Sequence, residues 1–330
     1  KLEELGVNSE FNFSEINVMG FVQPLMNYRK LKNLRNSLIE TFINKKIDLF
    51  IGIDSPDFNM GIHKALKKKN INKNIQVVSP SVWGWRQNRI KSIQANIDLT
   101  LCLFNFEDNF YKKEGHKSFH LGHPFSTLNK IDRVDVLKKY NLDEDKKYLS
   151  VLPGSRASEL QDMLPVYKEF IKEHSQENNE YLYLIPAADK KLMEVLKKSF
   201  HESNLPVLIK ENSMREFLSI SELSIVTSGT ASLESAVLGC PPIICYKTNF
   251  INYSIISRML KVDNIGLPNL LLDNRYFVEL LQNDFNKKNI KNAIKETLLL
   301  KENSETIAES LKEMLKGRGY SDAARELSLI

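Results

Sequence analysis

The chain is short of cysteine, of tryptophan and of long hydrophobic runs, and each shortage removes a class of protein. Its three cysteines, Cys102, Cys240 and Cys245, lie inside apolar stretches, lack metal-type spacing and leave one over from any pairing. That excludes a disulfide-stapled scaffold and points to a reducing, cytoplasmic compartment. No apolar run approaches the roughly 20 residues a helix needs to cross a bilayer, and the first residues are charged rather than signal-like, which predicts a chain that is soluble or lies on a membrane. An excess of one charge is missing too: 46 Lys and Arg against 41 Asp and Glu leave a net charge of +5 spread along the sequence. Such a mild, scattered excess gives no nucleic-acid footprint. Solenoid-period repeats and low-complexity segments are also absent. What remains is ordinary globular composition, 42% hydrophobic and 26% charged over 330 residues, enough for two domains that each bury a core. The initiator methionine is missing as well: the chain opens at Lys1 in KLEELGVNSEFNFSEINVMG, which reads as the middle of something.

From about Ile47, apolar runs of strand length alternate with amphipathic helical stretches, the pattern of βαβ units and parallel sheets. Strands are expected at 47–54, 75–79, 99–103 and 118–121, then after a polar break at 141–147 (NLDEDKK) at 148–152, 181–185, 207–209, 223–227 and 242–246. The break predicts a boundary between a domain 1–145 and a domain 146–305, with helices over 306–330 closing the structure. One of those helices is expected to end at Gly317 and the next to start at Ser321. The runs LFIGI, LSVL, LYLI and LSIV are apolar on both faces, as strands covered on both sides must be.

In doubly wound α/β folds ligands sit beyond the carboxyl ends of the strands, so the following loops carry the chemistry. The first is Asp54-Ser55-Pro56-Asp57-Phe58-Asn59, where Asp57 reads as a helix N-cap and Asp54 is left either as a cleft carboxylate able to accept a proton or as a turn residue. The second, Ser79 to Arg86, holds both tryptophans, Trp83 and Trp85, beside Arg86. They either cover a sugar or acyl chain or form a small local core. In the third, Pro153-Gly154-Ser155-Arg156, glycine allows close backbone approach to an anion and Arg156 can fork onto its oxygens, although the Gly-Lys-Ser/Thr ending of a Walker loop is missing. The fourth, Thr227-Ser228-Gly229-Thr230, forms a second anion cradle at a helix start, with Glu234 one turn along the same helix. A diphosphate on the cradle and ribose hydroxyls on Glu234 suit that spacing.

His116, His120 and His123 do not converge on a metal by their placement, and no Gly-x-Ser-x-Gly elbow follows a strand. Near the front, Phe21, Val22, Leu25 and Met26 are followed by Arg29 and Lys30. This apolar and basic stretch is either a membrane-surface element or a helix with one buried face.

The motifs VMGFVQ, IGIDSPDFN, VSPSVWGWRQNRI, LGHP, LPGSRASE, TSGTASLE and GLPNLL occur in this order and at matching separations in the lipid-A-disaccharide synthases, and over nearly its whole length the chain resembles that family. The resemblance implies a metal-independent, cofactor-free inverting glycosyltransferase of GT-B architecture: two Rossmann-like domains facing each other across a cleft, with C-terminal helices crossing back. It implies UDP-2,3-diacylglucosamine as donor, 2,3-diacylglucosamine 1-phosphate as acceptor, a β-1,6-linked disaccharide as product, no nucleic acid, a homodimer, and a peripheral place on the cytoplasmic face of the inner membrane. Carried over by motif, Asp54 matches the general base, Arg156 an essential arginine and Asn269 a functional asparagine. Gly154, Ser155, Met214, Ser228, Gly229, Thr230 and Glu234 fall on the nucleotide side; Trp83, Trp85 and Arg86 on the acceptor or acyl side; and Phe21 to Lys30 become the membrane-docking element. The family opens with a strand and a Gly-Glu-x-Ser-Gly-Asp loop that this sequence lacks, so the chain is expected to be a fragment with weak or no activity.

Overall fold

The computed structural model describes Gly6 and residues 28–69, 73–84, 87–201, 204–248 and 264–329. The chain divides into two compact units. The first runs to Gly122 and takes in the chain again from Gly317; the second covers His123 to Lys316, apart from a short stretch in 254–261.

The first unit begins with α1 (Tyr28–Asn44) and continues β1 (Leu49–Ile53), α2 (Pro56–Lys68), β2 (Lys73–Val77), α3 (Ile90–Asn96), β3 (Leu99–Cys102), α4 (Asn105–Lys113) and β4 (Ser118–His120). Its sheet has the order β1-β2-β3-β4, parallel throughout. Helices α1 and α2 pack on one face through Leu38, Ile39, Phe42, Ile62 and Leu66 around Phe50. The expectation that LFIGI is buried on both faces does not hold. Phe50 and Gly52 point inward, while Leu49, Ile51 and Ile53 on the alternate face are 37, 41 and 62% exposed. The reason is position: among the described residues β1 is an edge strand, and period-2 alternation puts its second apolar set on a face the described helices leave uncovered.

The second unit holds α5 (Arg133–Tyr140), β5 (Lys147–Leu152), α6 (Ala157–Glu177), β6 (Tyr181–Ala187), α7 (Lys190–Phe200), β7 (Val207–Glu211), α8 (Met214–Ile220), β8 (Leu223–Thr227), α9 (Thr230–Val237), β9 (Pro242–Tyr246), α10 (Leu267–Leu271), β10 (Glu279–Leu281), α11 (Lys287–Leu299) and α12 (Ser304–Leu315). Its parallel sheet has the order β10-β9-β8-β5-β6-β7. Here the continuous apolar strands are covered on both faces. Leu149, Val151, Ile225 and Ile243 meet Tyr167, Phe170 and Ile290 on one side, and Tyr148 and Leu184 meet Val136, Leu137, Phe217 and Ile220 on the other.

That second cluster moves the expected boundary from 145/146 to Gly122/His123. Helix α5 precedes the polar break but buries Val136 and Leu137 against the second sheet, so packing overrides the composition signal. The short strand β10 had no sequence counterpart; at three residues it is too brief for a periodicity signal. The final helix, α13 (Gly319–Ser328), starts before Ser321 and belongs to the first unit, where Ala323 packs on Leu101, Phe119 and Leu121. Its entry is tight: Arg318 and Gly319 amides donate to the carbonyls of His120 and Leu121 at 3.0 and 3.1 Å, and the Arg318 guanidinium lies 4.3 Å from the Phe119 ring centroid.

Candidate active site

In the first unit, β1 delivers Asp54 at its carboxyl end, where the main chain turns left-handed at Asp54 (φ 53°) and Ser55 (φ 40°). Such conformations cost non-glycine residues about 1 kcal/mol or more each, so something must hold them. The Asp54 N–H donates to the Val77 carbonyl at 3.0 Å, and the Asp54 carbonyl accepts from Asn59 Nδ2 at 2.7 Å and Gln76 Nε2 at 3.0 Å. Gly52 makes room for those two amides: a Cβ there would lie 2.8 Å from Gln76 Oε1 and 2.9 Å from Asn59 Nδ2. Asp54 itself stays exposed, and no side chain among the described residues pairs with its carboxylate. The expected N-cap at Asp57 falls instead on Ser55, because Pro56 opens the helix. Asp57 lies in the first turn and forms an ion pair with Arg89.

Trp83 takes the local-core alternative. Its ring meets Phe106 edge-on at 4.7 Å between centroids, Phe106 stacks on Phe104, and the indole N–H donates to Glu107 Oε1 at 3.2 Å. Glu107 is 4% exposed, and burial pushes its carboxyl up to about 7 against the hydrogen bonds it accepts from Phe104 and Trp83. Trp85 and Arg86 lie outside the described residues, as do Phe21, Val22, Leu25 and Met26. Arg29 and Lys30 sit exposed in the first turn of α1. Two of the three clustered histidines have separate partners: His116 Nε2 meets Thr100 Oγ1 at 3.0 Å, and His123 Nδ1 accepts from the Phe125 amide at 3.2 Å. Among the described residues no three His, Cys, Asp or Glu side chains gather as metal ligands do.

In the second unit the loop after β5 differs from the expected open cradle. Gly154 adopts φ 110°, and the amides of Ser155 and Arg156 donate to Glu159 Oε2 at 3.1 and 3.3 Å. The Arg156 guanidinium also ion-pairs with Glu159. A Cβ on Gly154 would lie 2.6 Å from Glu159 Oε2, so the anion this glycine lets approach is the chain's own carboxylate. The sequence reading took Gly154, Ser155 and Arg156 as ligand groups and missed that Glu159, three residues past the N-cap, folds back to accept from the N-cap amide.

The loop after β8 is different. Gly229 is the N-cap of α9 and supplies no side-chain cap, Ser228 and Thr230 flank it, and a Cβ on Gly229 would meet nothing within 4 Å. The Ser232 amide donates to the Gly229 carbonyl at 3.2 Å, and no side chain caps this helix start, whose dipole favours an anion. One turn on, Glu234 is buried and accepts from Arg215 Nε at 2.7 Å. Arg215 follows the half-buried Met214 at the start of α8 and was not singled out from sequence, where it reads as one more surface cation.

Asn269, expected to be catalytic, is fully buried in α10. Its Nδ2 donates to the Phe277 carbonyl and to Glu279 Oε1, both at 2.8 Å, and its Oδ1 accepts from the Phe277 amide at 2.9 Å. The buried Glu279 in turn accepts from the amides of Ile265 and Gly266 at 2.9 and 3.0 Å. The carboxamide is therefore a clasp that joins α10, β10 and the 265–266 turn.

The profile of the family described as lipid-A-disaccharide synthetase matches residues 1–326. The chain belongs to that family. Lipid-A-disaccharide synthase 2 of Legionella pneumophila (strain Philadelphia 1) is 36% identical over 293 residues, covering 88% of this chain and 76% of that protein. The lipid-A-disaccharide synthase of Alcanivorax borkumensis is 32% identical over 330 residues, covering 98% and 86%. As a lipid-A-disaccharide synthetase family member the chain is a glycosyltransferase of lipid A biosynthesis. Among solved structures, a Staphylococcus aureus MnaA–UDP complex has a TM-score of 0.58 at 15% identity, covering 99% of this chain and 84% of that one. A UDP-GlcNAc 2-epimerase from Neisseria meningitidis gives 0.56 at 12%, covering 99% and 87%. These likenesses establish the GT-B type of fold, two parallel α/β sheets, in this synthetase-family chain.

Proposed function

We propose that the chain joins UDP-2,3-diacylglucosamine to 2,3-diacylglucosamine 1-phosphate, giving the β-1,6-linked disaccharide 1-phosphate and UDP. The observation that carries the mechanism is Asp54, an exposed carboxylate whose main chain is tied on both sides in a left-handed turn. The acceptor's primary hydroxyl attacks the anomeric carbon from the face opposite the diphosphate. Its proton passes to Asp54 as the carbon–oxygen bond to the diphosphate breaks, and the electron pair leaves on UDP. In the second unit, the uncapped start of α9 at Ser228, Gly229 and Thr230 stabilises the charge on the departing diphosphate, and Glu234, steadied by Arg215, takes the ribose hydroxyls. Arg156 joins that work when its guanidinium leaves Glu159 for phosphate. Asn269 supports the site through Glu279. The acylated substrates and the exposed Arg29 and Lys30 support docking on an anionic lipid surface, with Phe21, Val22, Leu25 and Met26 as its apolar part and Trp85 and Arg86 on the acceptor side. No described helix is long and apolar enough to cross a membrane.

The test is a mass-resolved assay with acylated and unacylated UDP-sugars as donors. Product is expected from the acylated donor, with Asp54→Asn slower by about 10²-fold or more, in the range for loss of a general base. Turnover of the unacylated donor alone would overturn the substrate assignment, and undiminished turnover by Asp54→Asn would remove the base.

A further inference from the structure

Three buried polar side chains lie directly beneath Asp54, and the fold alone does not call for them. Gln76 is 1% exposed in the middle of the parallel sheet, Asn59 is 8% exposed on α2, and His63 is fully buried one turn further on. An apolar residue at each position would build the same layers at lower desolvation cost. The bonds of Gln76 and Asn59 go instead to main-chain carbonyls at the carboxyl ends of β1 and β2, and His63 bonds to Gln76. Gln76 Nε2 donates to the carbonyls of Asp54 at 3.0 Å, Val77 at 3.0 Å and Val78 at 3.3 Å. With Asn59 Nδ2 at 2.7 Å, both lone pairs of the Asp54 carbonyl are taken. Two of the residues so held, Asp54 and the β-branched Val78, have φ of 53° and 66°, and Ser55, joined to the held Asp54 carbonyl, has φ 40°.

The direction of the bonds fixes the rest. Because the Gln76 amide nitrogen donates, its Oε1 accepts, so the 3.2 Å contact with His63 Nε2 requires the proton on Nε2. His63 Nδ1 is then the bare nitrogen, buried with no hydrogen bond of good geometry among the described residues, beside the Asn74 carboxamide whose Nδ2 donates to the His63 carbonyl at 3.1 Å. Burial holds His63 below the ordinary imidazole range, which keeps it in this neutral form near pH 7.

We infer that Gln76 and Asn59 are positioning residues for the reaction: they lock the strained Asp54–Ser55 turn so that the Asp54 carboxylate is presented to the acceptor hydroxyl, with His63 orienting the Gln76 carboxamide. The inference rests on the reading of Asp54 as the base. Neither amide touches substrate; each acts through the Asp54 main chain, and Gly52 is glycine so that both can reach it.

A double-mutant cycle tests this. Asp54→Asn, Gln76→Leu and the double variant are expressed as the full chain, and kcat and KM are measured with the acylated donor and acceptor, next to thermal midpoints. Gln76→Leu is expected to lower kcat about 10²-fold with donor KM unchanged, the scale of a misplaced catalytic group, and to cost nothing further in the Asp54→Asn background. If Gln76→Leu keeps full kcat, or lowers it equally in both backgrounds, the positioning role is overturned while Asp54 stands as base. If Asp54→Asn is as active as the parent, the base assignment itself falls. Should Gln76→Leu fail to fold, Asn59→Ala, which leaves the His63–Gln76 pair in place, is run through the same cycle and decides it on the same terms.

Discussion

Glu107 should make the first unit less stable as pH rises from about 4.5 through about 7, the reverse of what a carboxylate in a salt bridge does. The side chain is 4% exposed, and burial raises its carboxyl from 4.5 to about 7. The folded chain therefore binds this proton more tightly than the unfolded one. The stabilisation is fully present below about 4.5, and is lost as pH rises through about 7. A shift of about 2.5 units corresponds to about 3 kcal/mol, at about 1.4 kcal/mol per unit. His116 and His123, held down at about 4 by burial, titrate with the opposite sign: their contribution is present above 6.5 and lost as pH falls toward 4. Comparison with Glu107→Gln cancels them. Gln keeps a carbonyl acceptor for the Trp83 indole, so its fixed cost is the same at every pH. Urea unfolding of both proteins at pH 4.5 and 7.5, followed by tryptophan fluorescence, measures the difference of differences. Glu107→Gln should gain about 3 kcal/mol relative to the parent between the two pH values. An equal gap at both would mean that Glu107 is ionised in the fold, and the burial argument would fail.

Gly317→Ala would place a Cβ 2.2 Å from the Gly122 nitrogen and 2.3 Å from the Leu121 carbonyl carbon, both backbone atoms. It should cost about 1–3 kcal/mol and speed amide exchange in α13, and unchanged exchange there would contradict the close approach. Asn269→Ala removes three buried hydrogen bonds and strips Glu279 of one donor, so an unfolding free energy lower by about 1–3 kcal/mol in urea titration is expected even without substrate. A variant inactive yet as stable as the parent would argue for direct contact with ligand. Arg215→Ala leaves the buried Glu234 without its cation; because Arg215 is half exposed, the stability loss should be only about 1 kcal/mol. The donor KM should rise, and Arg215→Lys should restore part of it.

The parallel sheets were legible because most strands are short apolar runs between amphipathic helices, a local pattern. Strands 223–227 and 242–246 fall where expected. What the pattern does not carry is which face is covered. LFIGI and LSIV are both short, mostly apolar runs, yet among the described residues one is an edge strand with three exposed apolar residues and the other is central. The boundary at 122/123 depends on which sheet Val136 and Leu137 pack against, again a tertiary fact. In the site, the residue types at the strand ends were readable, but their partners were not. Gln76 reads as the polar member of a strand, and only the approach of β1 past Gly52 reveals that it supports Asp54.

The two helix starts of the second unit show how the position of the N-cap changes chemistry when the glycine-to-glutamate spacing is the same. LPGSRASE and TSGTASLE look alike: a strand end, a glycine, small hydroxyl residues and a glutamate. In the first the glutamate is the third residue after the N-cap Arg156, where its carboxylate folds back onto the Ser155 and Arg156 amides. In the second it is the fifth after the N-cap Gly229, beyond reach of that turn, and it is buried against Arg215. A helix dipole attracts whichever anion can reach it. The chain's own carboxylate meets that attraction at α6, so a phosphate there must displace Glu159 or share Arg156 with it. At α9 no side chain among the described residues does so, and the same field is left to act on a ligand. For the proposed reaction this favours Ser228, Gly229 and Thr230 as the diphosphate site, with Arg156 joining only by exchange of its ion-pair partner.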